Sequence, residues 1–172
     1  MIGKRLIPLC LAFAQASSPA AQAESYRPLP SPCEILTAVD AARRLGLEGA
    51  GEMSETPPRE EYGIRLSDCT LSAGGSSIYS LTLRENVSPE VAPAPAQLDS
   101  YLRGFAEFWG TEPDAQPVDL PVPAVWIPAF NQIVAFARNG HAMVMVTVPG
   151  SAGIAGATDF ARPILAAIEQ DG

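Results

Sequence analysis

The sequence predicts an α+β domain in which helices pack on one face of an antiparallel sheet of about five strands. Three observations lead to this class: a capped helix begins at Ser31, two strands lie on either side of Gly74-Gly75, and an Asn139-Gly140 turn joins two apolar runs. With a further helix in the middle of the chain and another at its end, the predicted order is α-β-β-α-β-β-β-α.

Residues 1–23 have the features of a secretory signal peptide. Lys4 and Arg5 precede an apolar stretch of 11 residues, and Ala21-Gln22-Ala23 provides small residues for cleavage after Ala23. This stretch is too short for a membrane span, which needs about 20 residues. We therefore expect residues 24–172 to form a single exported domain, periplasmic or extracellular, with no stable membrane span after cleavage.

The composition narrows the classes of ligand. Loss of Lys4 and Arg5 leaves 9 basic residues against 19 acidic ones, a net charge of -10. Such an acidic chain is poorly suited to nucleic acid, whose phosphates are bound by clustered Lys and Arg. One His and three Cys provide few ligands for zinc or an iron–sulfur cluster. We expect no metal and no cofactor, and a partner that is an envelope protein or a small ligand.

Cys33 and Cys69 remain after the signal peptide, which contains Cys10, is removed. An even number of cysteines in an oxidising compartment favours a structural disulfide. Their separation of 36 residues is unlike the close C-x-x-C spacing of redox pairs. Closing a loop of this size would add about 3–4 kcal/mol to the stability.

The first helix is predicted to follow a mobile lead-in at residues 24–30. Ser31-Pro32-Cys33-Glu34 forms a capping box with Pro at the first helical position, and Gly46 ends the helical segment. Thr37-Ala38-Val39-Asp40 provides a second cap, so that a short turn followed by a helix is an alternative.

The segments that follow predict one pair of strands and two loops. Residues 48–62 are acidic, contain adjacent prolines and predict a surface loop or a ragged strand. Residues 64–71 and 77–84 predict paired strands, and polar residues alternate with apolar ones in the second, as in a half-buried strand. The Pro/Ala-rich residues 88–95 predict a long loop within one domain.

Residues 97–109 have the clearest helical periodicity in the chain. One stripe of this helix carries Leu98, Tyr101, Leu102, Phe105, Phe108 and Trp109. A stripe with this spacing is typical of a face buried in the core. The alternative is that this aromatic stripe is a ligand face.

The strongest local pattern is a late hairpin. Asn139-Gly140 separates apolar runs at 133–138 and 141–148, which predicts a type I′ turn because both turn residues need positive φ. The predicted cross-strand pairs are Arg138 with His141, Phe136 with Met143, and Val134 with Met145. Since both faces are apolar, we expect this hairpin in the middle of the sheet, or with its second face partly covered.

The segments on either side of this hairpin are less regular. Pro121, Pro123 and Pro128 make the preceding segment an edge strand or a bulged strand. After a Gly-containing loop at 149–156, the last helix carries Phe160, Ile164, Leu165 and Ile168 on one stripe. Pro163 must lie in the first turn of this helix or kink it.

The sequence assigns no catalytic residue. His141 is the only base available to a Ser–His–acid site, and the hairpin places it beside a solvated turn. The acidic clusters lack the spacing of a calcium loop, and residues 150–156 lack the phosphate-binding motifs. Two carboxylates could meet from anywhere in the fold, and the sequence does not select a pair.

The layout resembles a family of actinobacterial secreted lipoproteins of unknown function. The matching residues are Pro32-Cys33, Leu45-Gly46, Cys69, Val125-Trp126, Asn139-Gly140 and the helix near Ala161 to Ile168. The chain departs from that family in lacking a lipobox and in having Thr70 where Trp is usual. The resemblance implies no catalytic residues, and it implies a loose analogy to the α+β fold of the photosystem extrinsic P-subunit.

These observations predict an exported, disulfide-bonded protein of the bacterial envelope that binds a partner without catalysis. A carboxylate-based hydrolase or carbohydrate-processing enzyme is one alternative, and a small-ligand or metal carrier is another. The candidate ligand or partner face comprises Trp126, Phe136, Met143 and Met145.

Overall fold

The computed structural model describes residues 26–47, 51–73 and 77–170. The predicted signal peptide at 1–23 and the Gly74-Gly75 turn lie outside the described residues. Helices and strands in this part of the chain are α1 Pro32–Ala38, α2 Ala41–Arg44, β1 Gly51–Glu61, β2 Ile64–Ala73, β3 Ser77–Asn86, α3 Ala94–Trp109, β4 Gln116–Pro117, β5 Ala124–Ile127, β6 Gln132–Ala137, β7 Ala142–Thr147 and α4 Gly153–Gln170.

The strands form one antiparallel sheet in the order β1-β2-β3-β7-β6-β5-β4. This confirms the α+β class, but the sheet has seven strands rather than about five, and the predicted element order differs in detail. The segment expected as a loop or ragged strand forms β1, which is exposed along its whole length. As an edge strand it accommodates Pro57 and Pro58, with a register shift between Thr56 and Arg59.

Helices cover both faces of the sheet, so the expectation that they pack on one face is wrong. On the first face, α1 and α4 pack against a cluster that includes Cys69, Leu83 and Val144. On the second face, α3 packs against a smaller cluster that includes Val134 and Phe136. Both faces of β5, β6 and β7 are apolar, so each face needs a cover.

The late hairpin lies in the middle of the sheet, as predicted. Phe136 pairs with Met143 and Val134 with Met145. Asn139 and Gly140 both have positive φ, 53° and 99°. The predicted pair of Arg138 with His141 is not part of the ladder, which ends at Ala137 with Ala142. Arg138 also has positive φ, and its carbonyl oxygen accepts the turn hydrogen bond from the His141 N–H.

The capping box of the first helix and the disulfide form as predicted, whereas the helical segment is divided into α1, which ends at Ala38, and α2 at Ala41–Arg44. The Ser31 hydroxyl accepts from the Glu34 N–H, and the Glu34 carboxylate accepts from the Ser31 N–H, which completes the capping box. Pro32 occupies the first turn. The bond between Cys33 and Cys69 joins α1 to β2 with their Cα atoms 5.1 Å apart, within the usual range for a disulfide.

Residues 26–30 are held against the sheet, where the sequence analysis expected a mobile lead-in. Leu29 is buried, and its N–H donates to Oε2 of Glu85 at 2.8 Å. The Tyr26 hydroxyl donates to the same oxygen. Arg65 lies 3.4 Å from Oε1 of Glu85, which gives this buried carboxylate an ionic partner. The Glu85 carboxylate therefore fastens the lead-in to β3.

The last helix, α4, buries one apolar stripe against the first face. Phe160, Ile164, Leu165 and Ile168 are buried there, as the periodicity predicts. Pro163 lies in the interior of α4 rather than in its first turn. Within the described residues, no helix combines the length and the apolar character that crossing a lipid bilayer requires.

Candidate functional site

A groove lies on the second face between the first turns of α3 and the ends of β3 and β7. Its volume is about 280 Å³. The residues that line it are Ile64, Arg84, Asn86, Gln97, Ser100, Tyr101, Phe136, Gly140, His141 and Met143. We call this cavity the α3 groove.

The alternation of the strands builds the floor of the α3 groove. Arg84 pairs with Met143, and Met143 pairs with Phe136, so these three side chains lie in one row across β3, β7 and β6. Residues opposite one another in antiparallel strands point to the same face. Ser100 and Tyr101 come from α3 on the opposite side of the groove.

Hydrogen bonds fix the end of the groove beside the β6–β7 turn. Gln97 donates from its side-chain amide to the carbonyl oxygens of Ala92 and Gly140, both at 2.7 Å. His141 places Nδ1 3.2 Å from the carbonyl oxygen of Asn86. Because a carbonyl only accepts, Nδ1 carries the hydrogen, and in the neutral imidazole Nε2 keeps its lone pair.

Two further groups in the groove can bind a ligand. Arg84 is exposed and forms no ion pair or hydrogen bond with any residue in the described part of the chain. Burial raises the pKa of Tyr101, so its hydroxyl stays protonated and can donate. The α3 groove therefore offers one cation and several neutral hydrogen-bonding groups above an apolar floor.

An exposed aromatic patch continues the second face beyond the groove. It comprises Phe105, Phe108 and Trp109 from α3 and Phe130 from the β5–β6 connection, and we call it the aromatic patch. Phe105 packs edge-on to Phe130 with ring centroids 5.6 Å apart, and Trp109 lies 6.4 Å from Phe130. The exposed fractions of Phe108 and Trp109 are 80% and 60%.

The exposure of the aromatic patch contradicts part of the prediction that the stripe on α3 is buried. Leu98, Tyr101 and Leu102 pack against the second-face core, as expected of a buried stripe. The end of the stripe instead lies beside Phe130 of the β5–β6 connection and Gln132 of β6, because α3 packs mainly on β6 and the β6–β7 turn. Phe108 and Trp109 at the end of α3 are exposed, and the alternative that the stripe is a ligand face stays a prediction.

The groove and the patch form one continuous surface. Ser100 and Tyr101 line both of them. Gln132, the first residue of β6, lines the pocket of the aromatic patch. A ligand longer than the groove can therefore extend along α3 from Arg84 to Trp109 without leaving the protein surface.

The predicted ligand face is only partly brought together. Phe136 and Met143 line the α3 groove, and Met145 is half-buried under α3. Trp126 pairs with Ile133 and lies on the first face, in the core, with 4% of its surface exposed. Because of the prolines around β5, the sequence did not determine the register of this strand. A shift of one residue in the register moves a side chain to the opposite face of the sheet.

Several residues of this surface were not singled out by the sequence analysis. Arg84, Asn86 and Gln97 line the groove, and Phe130 completes the patch. The only sequence signal for Arg84 is the polar–apolar alternation of β3. This alternation predicts that Arg84 lies on the solvent-exposed face, and it does not predict which residues Arg84 contacts. The Gln97 contact depends on the position of α3, which local periodicity does not determine.

The groups that hydrolysis or metal binding would need are not assembled in the α3 groove. No carboxylate lines the α3 groove, and no hydrogen bond among the described residues joins Ser100 to His141. Asp119 and Asp159 share a shallow pocket beside α4, where both are exposed. Within the described residues, no three His, Cys, Asp or Glu side chains come together to hold a metal ion.

The arrangement on the second face can hold an apolar group on the aromatic patch and a polar group in the α3 groove. Aromatic side chains provide a large apolar contact area with little loss of side-chain entropy.

Comparison with other proteins identifies no homologue: no family model, curated protein or solved structure matches the chain.

Proposed function

We propose that this protein is an exported, non-catalytic binding protein of the bacterial envelope whose ligand or partner places an apolar group on the aromatic patch. Export is supported by the signal-peptide pattern at residues 1–23 and by the disulfide between Cys33 and Cys69. The resemblance to secreted actinobacterial lipoproteins supports the same cellular location.

The single observation that carries this proposal is the exposure of the aromatic patch. Phe108 and Trp109 are among the most exposed large apolar side chains in the described residues, and they are neighbours. Burial of apolar surface contributes about 25 cal/mol per Å², so an exposed aromatic cluster provides a favourable contact for a partner. Exposed apolar patches with polar rims mark interaction sites more often than isolated apolar residues do.

A small-ligand carrier is the second candidate, because the α3 groove adjoins the patch through Ser100 and Tyr101. The hydrolase alternative lacks comparable support. Asp119 and Asp159 are exposed, whereas a glycosidase acid is held in a partly buried site that raises its pKa.

The proposal is tested with 1-N-phenylnaphthylamine, an uncharged aromatic probe whose fluorescence rises in apolar surroundings. We expect the mature protein to bind it saturably, and F108A/W109A to weaken binding by about tenfold or more. The control variant is Tyr62→Ala, which removes an exposed aromatic ring from the β1–β2 turn, outside the patch. Absence of saturable binding, or equal loss in the control, would overturn the proposal.

A further inference from the structure

The α3 groove contains a cation without a partner in a protein of strongly acidic composition. The chain has 19 Asp and Glu residues against 11 Lys and Arg. Arg84 nevertheless makes no ion pair with any residue that the structure describes, and no carboxylate lines the groove. An exposed guanidinium beside an apolar floor can bind a planar anion through two parallel hydrogen bonds.

The carboxylates nearest to Arg84 in sequence and on the sheet are engaged or lie outside the groove. Glu85 points to the first face, where Tyr26 and Leu29 donate to it and Arg65 pairs with it. Asp68, on β2, accepts hydrogen bonds from Thr82 at 2.5 Å and Thr70 at 3.5 Å.

Two acidic side chains lie on the other side of Arg84. Glu60 and Glu61 line an adjoining surface pocket next to β1, together with Arg59 and Arg84 itself. Among the described residues neither glutamate forms an ion pair with Arg84, and on the side of the α3 groove Arg84 meets no carboxylate.

Neutral donors surround the place where an anion would lie. The Asn86 side-chain oxygen accepts from the Ser88 N–H at 3.0 Å, so its amide NH₂ is left to donate elsewhere. Within the described residues, the hydroxyls of Ser100 and Tyr101 make no hydrogen bond. Such uncharged donors contribute hydrogen bonds to a carboxylate without adding charge.

The distance from the groove to the aromatic patch limits the length of the ligand. Ser100 lines the groove and Trp109 lies nine residues later in the same helix. At a rise of ~1.5 Å per residue this offset is about 14 Å, a span that suits an extended chain of about ten to twelve carbon atoms.

We propose that the second face binds a free monocarboxylic acid with an apolar chain of medium length. Its carboxylate pairs with Arg84 in the α3 groove, and its apolar end lies on the aromatic patch. This inference rests on the proposed function, since it uses the same patch and names the chemical class of the ligand. No covalent step is involved.

The test compares decanoate with decanol as competitors of 1-N-phenylnaphthylamine on the mature protein. The two molecules share a ten-carbon chain and differ in the charged group. We expect decanoate to displace the probe at a concentration about tenfold lower than decanol, because one charge-assisted contact of ~1.4 kcal/mol corresponds to that ratio.

Two variants assign the preference to the groove. Arg84→Gln should make decanoate and decanol equivalent competitors when each is compared at that variant's own affinity for the probe. Arg103→Gln removes an exposed positive charge from α3 that does not line the groove, and it should keep the preference. Ser100→Ala should reduce the preference for decanoate over decanol.

Each outcome decides between the two proposals. If the probe binds but decanoate shows no advantage over decanol, or keeps its advantage in Arg84→Gln, the carboxylate site is wrong and the proposed function stands. If the probe fails to bind the unmodified protein, both are wrong. Tryptophan emission of Arg84→Gln that matches the parent protein verifies that the variant is folded.

Discussion

The side-chain amide nitrogen of Gln97 lies 2.7 Å from the carbonyl oxygen of Gly140, and this hydrogen bond ties α3 to the β6–β7 turn. The same nitrogen donates to Ala92 in the loop that leads into α3. Gln97 therefore joins the start of α3 and the loop before it to a turn that is 43 residues away in sequence. Since α3 forms one side of the groove and most of the aromatic patch, this contact positions the whole surface.

Replacement of Gly140 should disturb this contact. An added Cβ would clash with the Gln97 amide nitrogen and would lie 2.5 Å from the Ala92 carbonyl oxygen, at a position where φ is +99°. We expect Gly140→Ala to lower the free energy of unfolding by about 2 kcal/mol or more, from strain and overpacking. Urea denaturation measures this loss.

The matched control is Gly104→Ala in the middle of α3. An added Cβ has no atom within 4 Å there, and the backbone is helical. Alanine is a better helix former than glycine, so this variant should gain about 0.5–1 kcal/mol. Equal effects of the two substitutions would contradict the packing that we describe at Gly140.

The disulfide should account for a large part of the stability. Cys33 and Cys69 enclose a loop with a sequence separation of 36, and C33A/C69A should lower the free energy of unfolding by about 3–4 kcal/mol. Thiol titration of the unreduced, unfolded mature protein should find no free thiol. Two titratable thiols would show that the covalent link is not formed.

Tyr26 should give the protein a specific dependence on alkaline pH. Burial, and then the hydrogen bond to Glu85, raise the pKa of Tyr26 above its ordinary value of about 10. The folded state thus holds the phenol proton more tightly than the unfolded state does. This contribution is fully present below about pH 10 and is lost as the pH rises further.

The measurement compares the stability of the parent protein and Tyr26→Phe across alkaline pH. The parent should lose stability more steeply above about pH 10, because only its phenol can ionise at this position. Tyr101, whose pKa is also raised by burial, is present in both proteins and cancels in the comparison. Parallel curves would exclude this role for Tyr26.

The two tryptophans should differ strongly in solvent access. Trp126 is 4% exposed on the first face, and Trp109 is 60% exposed in the aromatic patch. Acrylamide should therefore quench the emission of Trp126→Phe, which retains Trp109, much more than that of Trp109→Phe. Similar quenching of the two variants would contradict the register of β5.

Local sequence patterns predicted the elements whose determinants are local. The capping box at Ser31 and Glu34 involves residues three apart, and the Asn139-Gly140 turn sets the register of the strands that it joins. These features depend on near neighbours, so composition and spacing were enough. The disulfide followed from the cysteine count and the expected compartment.

The remaining features depend on contacts between distant residues. The exposed strand β1 has no hydrophobic alternation and forms because β2 provides an edge to pair with. Phe108 and Trp109 fit a buried stripe by spacing, and only the position of α3 leaves them exposed. The groove residues Arg84 and Gln97 come from β3 and α3, whose relative position local periodicity does not determine.

Nuclear magnetic resonance mapping on the ¹⁵N-labelled mature protein tests the binding surface most directly. On titration with 1-N-phenylnaphthylamine, we expect the largest amide shifts in residues 100–109 of α3 and at Phe130 and Gln132, with little change in α1 and α4. Shifts concentrated on the first face, or no saturable shift at the aromatic patch, would contradict a binding role for the second face.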